Sequence, residues 1–552
     1  MAVMTGRKAI MEIFRSEGVE YIFGVPGATE ALFMDALEDY PDIKYILGLH
    51  ESVAVAIAEG YARASGKVGV LNLHTLAGLS SAMGMICNAS EAPLVITAGQ
   101  QDTRAIMQEP ELDGDLRGLV RPFTKWGTEV AYAADIPIAL RRAFKVAAHP
   151  PAGPVFVSLP QNVLAEELDL QYLPSIPTFC QLRPDREAVN RAAELLSNAQ
   201  TPVILVGSGI TDEDAMPEAV DLAELVGARV YQPSPADMNF PTAHPQCLGG
   251  LDLGSQETGE LLRSVDVLVA IGIPLFQQPA YLPNPLLTLA TKVIQIDSNS
   301  WQIGKNFPVA AALEGNIKLS LGELINVLQQ NLSPEMRQAA TARAKEIGKQ
   351  KEALRQDLLR KAQETRDNIP ISAWRLMQDL RESIGPETVI VDDSWSCSSV
   401  LRSMIDFSKP KTFYRLRAGG SIGWGIPASL GIKLACPDRR VVAVVGDGSA
   451  IFTFQSLWVA AHYNIPVTFV VCANACYRLV RLVRIRQLGD YARNRILGTE
   501  LDNPRINFCQ VAQGLGVQGR EVVQPDDLKA TLRWALESDK PALVEVEVEA
   551  TI

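Results

Sequence analysis

Two short apolar runs separated by a helical stretch form the clearest pattern of hydrophobic and polar positions in this chain. Residues 441–445 form a continuous apolar run and residues 467–471 a run broken only by Thr468, both typical of buried parallel strands, and residues 454–462 between them predict a helix. Strands joined in this way lie side by side in one sheet. Asp447 and Asn474, which follow the two runs, are therefore expected to meet at the carboxyl edge of the sheet, where open α/β folds bind ligands.

The residue types at this edge suit a metal ion and a phosphate group. An aspartate carboxylate, an asparagine carbonyl and a nearby main-chain carbonyl are hard oxygen donors, which suit a Mg²⁺ ion that keeps phosphate oxygens and water as its other ligands. Gly448 and Ser449 open the predicted helix and leave backbone N–H groups available to a diphosphate. The pattern alone leaves a structural interpretation open, because any doubly wound fold can place an aspartate and an asparagine after neighbouring strands.

Three more predicted strands, in the first hundred residues, each lead into a distinctive segment. Residues 21–23 lead into the turn FGVPGA, residues 45–47 lead into Gly-Leu-His-Glu and a helix, and residues 71–74 end in a histidine. The polar residues of interest here are Glu51 and His74. Taken singly, a glutamate is most often an exposed residue, and a histidine at a sheet edge is most often a structural one.

Alternating strand and helix patterns divide the chain into three segments. We predict domains at residues 1–173, 184–332 and 369–552, joined by a proline-containing linker at 173–184 and a charged helical linker at 335–367. The predicted fold class is α/β, with three doubly wound domains and mostly parallel sheets. In the middle domain the turn Gly207-Ser208-Gly209 lacks the full GxGxxG spacing, so a bound nucleotide is not expected there.

Composition and charge narrow the class of protein. A net charge of −12 argues against nucleic acid or an anionic membrane as a partner. No apolar run approaches the ~20 residues that span a bilayer, and the first residues lack the apolar core of a signal peptide. The eight cysteines include no CxxC pair, which fits a reducing compartment. We therefore expect a cytoplasmic enzyme without a membrane segment.

The motifs in their order resemble those of thiamine diphosphate (ThDP) enzymes of the benzoylformate decarboxylase and acetolactate synthase superfamily. The stretch GDGSAIFTFQSLWVAAHYNIPVTFVVCAN resembles the family's GDG-to-Asn motif, and FGVPG, HE, EGYARASGK and NLHTLAG resemble its pyrimidine-binding domain. The likeness covers nearly the whole chain and is nearest to the benzoylformate decarboxylases. It implies that the first domain binds the pyrimidine ring of ThDP and that the third binds its diphosphate.

The resemblance also implies roles for individual residues. Asp447, Asn474 and the main-chain carbonyl of Cys476 are expected to bind Mg²⁺, although the family's usual first asparagine is Ala473 here. Glu51 is expected to activate the cofactor, and His74 to transfer protons. The residues expected to contact the cofactor are Val25, Pro26, Glu51, Ser394, Ser396, Gly420, Ile422, Gly446, Asp447, Gly448, Ser449, Asn474 and Cys476, with Ile422 supporting its bent form. For Ser394 and Ser396 the alternative is capping of a helix that begins near Ser398.

At positions expected to contact the substrate, the sequence differs from that of benzoylformate decarboxylases. Ala28 replaces the serine that contacts the substrate carboxylate, and the stretch 274–279 lacks the second histidine. The substrate pocket is expected to include Ala28, Gln108, Leu479, Val480 and Val483, next to Arg478. The implied activity is decarboxylation of a 2-oxo acid, aromatic ones included, and/or carboligation through an acyl anion. Acetolactate synthase-like and benzaldehyde lyase-like carboligases are the alternatives.

The resemblance also implies how the protein assembles. The partners implied are a small 2-oxo acid and an aldehyde, with Mg²⁺ and ThDP as cofactors and without FAD. The active unit is expected to be a homodimer, or a homotetramer built from dimers, with active sites between subunits. A catalytically silent subunit that keeps the fold is the alternative of another class. The joint presence of Glu51, His74, Asp447 and Asn474 favours the enzyme.

Overall fold

Three parallel sheets, one in each predicted domain, organise the chain in a computed structural model. The structure describes residues 3–175, 181–233, 236–277, 286–495 and 497–550. The central strands are buried on both faces, which explains their continuous apolar sequences. This confirms the predicted α/β fold class with mostly parallel sheets. The exact domain limits stay a prediction, and residues 176–180 of the first linker lie outside the described residues.

The first domain has a six-stranded parallel sheet in the order β3-β2-β4-β5-β7-β6. A short antiparallel pair, β1 with β8, ties the start of the domain to its end. The strands are β1 (Val3–Thr5), β2 (Tyr21–Val25), β3 (Lys44–Leu47), β4 (Gly69–Leu73), β5 (Leu94–Gln100), β6 (Trp126–Glu129), β7 (Val155–Pro160) and β8 (Glu167–Asp169). The helices are α1 (Gly6–Ser16), α2 (Ala31–Leu37), α3 (Glu51–Ser65), α4 (Thr75–Asn88), α5 (Leu116–Val120), α6 (Ile136–Ala148) and α7 (Gln161–Ala165).

The middle domain has a five-stranded parallel sheet in the order β10-β9-β11-β12-β13. Its strands are β9 (Val203–Val206), β10 (Arg229–Tyr231), β11 (Val267–Ile271), β12 (Lys292–Asp297) and β13 (Ala311–Glu314). Its helices are α8 (Arg186–Ser197), α9 (Gly209–Asp212), α10 (Met216–Val226), α11 (Gln256–Arg263) and α12 (Ile317–Asn331). A long, mostly exposed helix, α13 (Pro334–Glu364), leads to the third domain and begins after Ser333, whose hydroxyl caps its N-terminus.

The third domain repeats the strand order of the first, as β15-β14-β16-β17-β19-β18. Its strands are β14 (Val389–Asp393), β15 (Phe413–Arg415), β16 (Val441–Gly446), β17 (Thr468–Ala473), β18 (Gln518–Val522) and β19 (Ala542–Glu547). Its helices are α14 (Ala373–Ser383), α15 (Ser398–Met404), α16 (Gly425–Ala435), α17 (Asp447–Thr453), α18 (Ser456–His462), α19 (Arg478–Leu488), α20 (Phe508–Gly514) and α21 (Pro525–Leu536). In both outer domains the strand order reverses beside the first strand, which is where such sheets bind ligands.

The predicted helix at residues 454–462 differs from the observed one. The structure has two short helices there, because α17 already begins at Asp447 and α18 follows after a turn at residues 454–455. The helix therefore starts directly at the strand end, seven residues earlier than the apolar pattern indicated. No helix in the described part of the chain is both long enough and apolar enough to cross a membrane.

Helices α3 and α16 pack closely and join the outer domains into one apolar core. A Cβ atom at Gly60 would lie 2.2 Å from the Ala428 carbonyl oxygen, and one at Gly431 would lie 1.9 Å from the Ile57 carbonyl oxygen. Glycine at both positions lets the two backbones touch. The pairing of residues 57 with 431 and 60 with 428 shows that the helices run antiparallel.

Candidate active site

Asp447 is a buried carboxylate at the carboxyl edge of the third sheet. Strands β16 and β17 pair in parallel, with Gly446 opposite Cys472, so Asp447 and Asn474 follow adjacent strand ends. The Asp447 side chain accepts the Gly448 N–H at 2.7 Å and the Ala475 N–H at 2.6 Å. Burial raises its pKa, which backbone hydrogen bonds only partly oppose. Within the described residues no salt bridge to Asp447 is formed, so a bound cation would offset the cost of its charge.

The segment that follows Asn474 forms a tight turn beside Asp447. The Asn474 side-chain carbonyl accepts the Cys476 N–H at 3.1 Å, and its amide donates to the Ser396 hydroxyl at 3.4 Å. Ala475 adopts φ 55°, a left-handed conformation that costs a residue with a Cβ about 1–2 kcal/mol. This turn brings the side-chain oxygens of Asp447 and Asn474 and the main chain of Cys476 to one edge. Oxygen donors of this kind suit Mg²⁺.

The two predicted serines after β14 differ in their surroundings. The Ser394 side chain is buried, and its hydroxyl donates to Asp392 at 2.6 Å. Ser396 is only partly buried and faces Asn474. Helix α15 begins at Ser398 after Cys397, with no side-chain hydrogen bond at its cap, so neither serine caps it. The Ser394 hydroxyl donates its hydrogen to the buried Asp392 carboxylate, whereas the Ser396 hydroxyl makes no described hydrogen bond to a carboxylate.

The loop that carries Ile422 is fixed by a buried carboxylate that the sequence analysis missed. Asp393 accepts the Ser449 hydroxyl at 2.5 Å and the Gly425 N–H at 2.9 Å, and Ser449 in turn accepts the Gly423 N–H at 2.8 Å. Burial raises the pKa of Asp393. Gly420 and Gly423, which flank Ile422, have φ values of 93° and 92°. Ile422 is therefore held in a turn that only glycine neighbours allow without strain.

Glu51 lies in the first domain, shortly after the end of β3 and at the start of helix α3. The backbone enters this helix through His50, whose ring accepts the Ser52 N–H. The Glu51 side chain is partly exposed and lies against Gly78 of α4, where a Cβ atom would be 2.9 Å from a Glu51 carboxylate oxygen. Gly78 also lies beside the His74 side chain. Glu51 and His74 therefore flank the same glycine.

His74 is oriented by Glu30, which the sequence analysis did not single out. Glu30 is 1% exposed, and its carboxylate accepts N–H groups of Gly27 at 2.9 Å and Gly99 at 3.0 Å, the Thr29 hydroxyl at 2.8 Å, and a contact from His74 Nδ1 at 2.8 Å. Since a carboxylate only accepts hydrogen bonds, His74 Nδ1 carries a proton and Nε2 is left for other partners. A Cβ atom at Gly27 would lie 2.2 Å from the His74 ring, so only glycine fits this turn.

Within a single chain, the residues predicted to line the substrate pocket are exposed to solvent. Leu479, Val480 and Val483 of α19 are 39%, 49% and 44% exposed, and no residue of this helix is buried. Ala28 and Gln108 are also exposed. Pro26 is exposed as well, and Val25 ends β2 close by. The structure thus does not bring these residues together into a closed pocket by itself.

A cavity of about 670 Å³ lies at the carboxyl edge of the middle sheet, between all three domains. The turn at residues 207–209 and the strand end at Asp297 line it, together with Glu91 and Glu213. Burial raises the pKa of Asp297 to about 6 and also raises the pKa values of Glu91 and Glu213. The expectation that FAD is absent stays a prediction, since the cationic side chains of Arg63, Lys411 and Arg417 line the same cavity as these acidic groups. Residues 274–277 border this cavity and contain no histidine, whereas 278 and 279 lie outside the described residues.

Family comparisons account for all three domains. The chain matches the models for the thiamine pyrophosphate enzyme N-terminal TPP binding domain at residues 4–115, central domain at 189–324 and C-terminal TPP binding domain at 395–546. The chain belongs to the thiamine pyrophosphate enzymes. Its two matched binding domains are the ones that contain Glu51 and Asp447.

Individual relatives of this family are similar over nearly the full length. The benzoylformate decarboxylase of Pseudomonas aeruginosa is 31% identical over 99% of both chains. The acetolactate synthase large subunit of Haemophilus influenzae is 28% identical over 99% of this chain and 95% of its own. The solved 4-hydroxybenzoylformate decarboxylase of Rhodococcus jostii has a TM-score of 0.85 and 29% identity over 99% of both chains. The protein is thus a member of a ThDP-dependent family of decarboxylases and carboligases.

Proposed function

We propose that this thiamine pyrophosphate enzyme uses ThDP and Mg²⁺ to decarboxylate a 2-oxo acid and to join the resulting acyl group to an aldehyde. The observation that supports this most is Asp447, a buried carboxylate that lies beside Asn474 and the Cys476 main chain without a described salt bridge. A carboxylate in such surroundings is costly unless a cation binds there. The two oxygen-bearing side chains and the main-chain carbonyl fit Mg²⁺, which requires few protein ligands.

Each proposed residue has a specific task in binding the cofactor. Bound ThDP supplies an electron sink for the carbanion that loss of CO₂ generates. Asp447, Asn474 and Cys476 would hold Mg²⁺, with Gly446, Gly448, Ser449 and Ser396 around the diphosphate and Ser394 fixing the strand end behind it. Ile422, on its anchored loop, would support the bent cofactor, and Gly420, Val25 and Pro26 would contact it.

Glu51 and His74 provide the proton-transfer groups. Glu51 is partly exposed at a helix start and is free to hydrogen-bond a ring nitrogen of the pyrimidine. His74 would donate or accept a proton at Nε2, because Glu30 engages Nδ1 at 2.8 Å. Their common neighbour Gly78 keeps the space between them open. The first domain thus supplies the acid–base groups, and the third supplies the metal and diphosphate site.

Two copies of the chain are required to bring these halves together. Since α3 and α16 run antiparallel, Glu51 lies about 13 Å along the axis from Gly60, while the Ile422 loop lies at the other end, before Gly425. Glu51 and the loop of one chain are thus at opposite ends of the helix pair. The exposed apolar side chains of α19 also suit burial by a second chain. We propose a homodimer, or a homotetramer of dimers, with the active site between subunits.

The residues that face the substrate set the balance between decarboxylation and ligation. Ala28 offers no hydrogen bond to a substrate carboxylate, and residues 274–277 supply no second histidine. The first loss should weaken decarboxylation and the second should weaken protonation of the acyl anion, so that the anion lives long enough to be transferred to an aldehyde. Aromatic 2-oxo acids are the first substrates to test, because two of the similar proteins are benzoylformate and 4-hydroxybenzoylformate decarboxylases.

Calorimetry with ThDP and Mg²⁺ tests the cofactor site. Wild-type protein should bind ThDP only when Mg²⁺ is present, and Asp447→Ala should lose that binding because the ion loses its only charged protein ligand. Unchanged affinity in Asp447→Ala would contradict the assignment. A panel of 2-oxo acids and aldehydes, assayed separately for CO₂ release and ketol formation, then identifies the reaction.

A further inference from the structure

Buried acidic groups surround the proposed diphosphate site. Asp392 and Asp393 end β14 and Asp447 follows β16, and all three are at most 5% exposed. A diphosphate bound at this edge would be repelled by these groups in their charged form. A Mg²⁺ ion that also balances Asp447 has only part of its charge left for the phosphates. Asp392 has the Arg415 guanidinium at 3.7 Å, whereas Asp393 and Asp447 form no salt bridge within the described residues, so a further cation would favour binding of a diphosphate.

Arg478, the first residue of α19, brings such a cation to the edge of the site. Its guanidinium Nη1 lies 3.4 Å from the main-chain oxygen of Ser396. The Ser396 hydroxyl lies 3.4 Å from the Asn474 side-chain amide. The guanidinium and the amide thus both contact Ser396, beside the turn that carries Asn474 and Cys476.

The charge of Arg478 acts on a group next to Ser396. The pKa of Cys397 is lowered, first by a hydrogen bond from Cys472 and also by the Arg478 charge. Cys397 follows Ser396, whose main-chain oxygen the guanidinium contacts, and Arg478 itself follows Cys476 by two residues. The guanidinium therefore lies between the strand end of β14 and the turn after β17.

We propose that Arg478 binds the diphosphate of ThDP directly and acts as a permanent positive charge beside Mg²⁺. A planar guanidinium can donate two parallel hydrogen bonds to phosphate oxygens, which a single ammonium group cannot. This inference rests on the proposed function. It adds a cofactor-binding residue on α19 and makes the start of that helix part of the diphosphate site.

Calorimetry on Arg478→Gln, with ThDP and with inorganic pyrophosphate at saturating Mg²⁺, tests the role. Losing a charge-assisted hydrogen bond should weaken both ligands by about ten- to hundredfold, and by similar factors because they share the diphosphate. Arg478→Lys should restore part of the affinity. The matched control is Arg486→Gln on the same helix, where the side chain is exposed and pairs with Asp252 at 3.4 Å. This control should bind both ligands as the wild type does.

The outcomes separate this inference from the proposed function. If wild-type protein binds no ThDP, both are wrong. If wild type and Arg478→Gln bind ThDP equally, with the same apo thermal midpoint, the cofactor assignment stands and the role of Arg478 is refuted. A raised KM for the 2-oxo acid at unchanged ThDP affinity would refute it in a specific way, because the arginine would then bind the substrate carboxylate.

Discussion

Glu30→Gln is the sharpest test of how the first domain prepares His74. One Glu30 oxygen accepts from Gly99 and Thr29, and the other accepts from Gly27 at 2.9 Å and His74 at 2.8 Å. A glutamine keeps one acceptor oxygen and places an NH₂ group at the other position. An NH₂ group that faces His74 cannot accept the Nδ1 proton, so Nδ1 keeps only the Thr29 hydroxyl at 3.1 Å and the preference for a free Nε2 weakens.

The size of the effect follows from the type of hydrogen bond. A hydrogen bond to a charged group contributes about 1.5–3 kcal/mol. At 1.36 kcal/mol for each factor of ten, kcat/KM should fall by about ten- to a hundredfold. ThDP affinity should stay at the wild-type value, because Glu30 does not reach the metal side. The matched control is Glu12→Gln, which alters a partly buried carboxylate that accepts a hydrogen bond from Tyr40 at 2.8 Å. This control should keep kcat/KM.

A double-mutant cycle with His74→Ala decides whether Glu30 acts through the histidine. If it does, Glu30→Gln should have almost no further effect on kcat/KM once His74 is absent. Urea denaturation of each variant shows whether the fold is intact. Additive losses in the two variants would refute the reasoning, since Glu30 would then act through the shape of the turn at residues 27–30 alone.

Three other predictions, the last with its own control substitution, test separate parts of the structure. Glu51→Gln should leave ThDP bound but slow hydrogen exchange at the thiazolium carbon by orders of magnitude, and exchange at the wild-type rate in heavy-water NMR would rule out its role. Ala28→Ser should shift products from ketol toward free aldehyde by about ten- to a hundredfold, the scale of one charged hydrogen bond; an unaltered product ratio would show that residue 28 does not face the substrate. Gly431→Ala should lower the free energy of unfolding by about 1–3 kcal/mol or more, because its Cβ would lie 1.9 Å from the Ile57 carbonyl oxygen. The control Gly322→Ala, in a helix with open space around it, should raise the free energy of unfolding by about 0.5–1 kcal/mol. Equal urea midpoints for the two variants would contradict the close-packing argument.

Local pattern was sufficient for the fold class and for the adjacency of the strand ends that carry Asp447 and Asn474. Asp447 and Asn474 follow adjacent strands of a single strand–helix–strand unit, so their proximity depends only on the right-handed crossover rule. The fold class followed from the same alternation of apolar runs. The apolar pattern alone placed the helix at residues 454–462, because the first residues of α17 are small or polar and carry no apolar periodicity, although Gly448 and Ser449 were expected at a helix start.

The supporting groups could not be predicted because they depend on contacts between distant segments. Glu30 meets His74 across 44 positions, and Ser449 meets Asp393 across 56. No spacing in the sequence encodes such pairs, and both glutamate and aspartate are ordinary surface residues in isolation. The antiparallel packing of α3 on α16 was equally hidden, since it depends on which glycines of the two helices meet.

That antiparallel packing has a genetic consequence. In the proposed dimer each chain gives its Glu51 end to one active site and its Asp447 end to the other. A chain with Glu51→Gln and a chain with Asp447→Ala are each inactive alone, yet a mixed dimer of the two has both defects in one site and an intact second site. Two defective alleles expressed together should therefore complement each other, to at most half of the wild-type activity per mixed dimer.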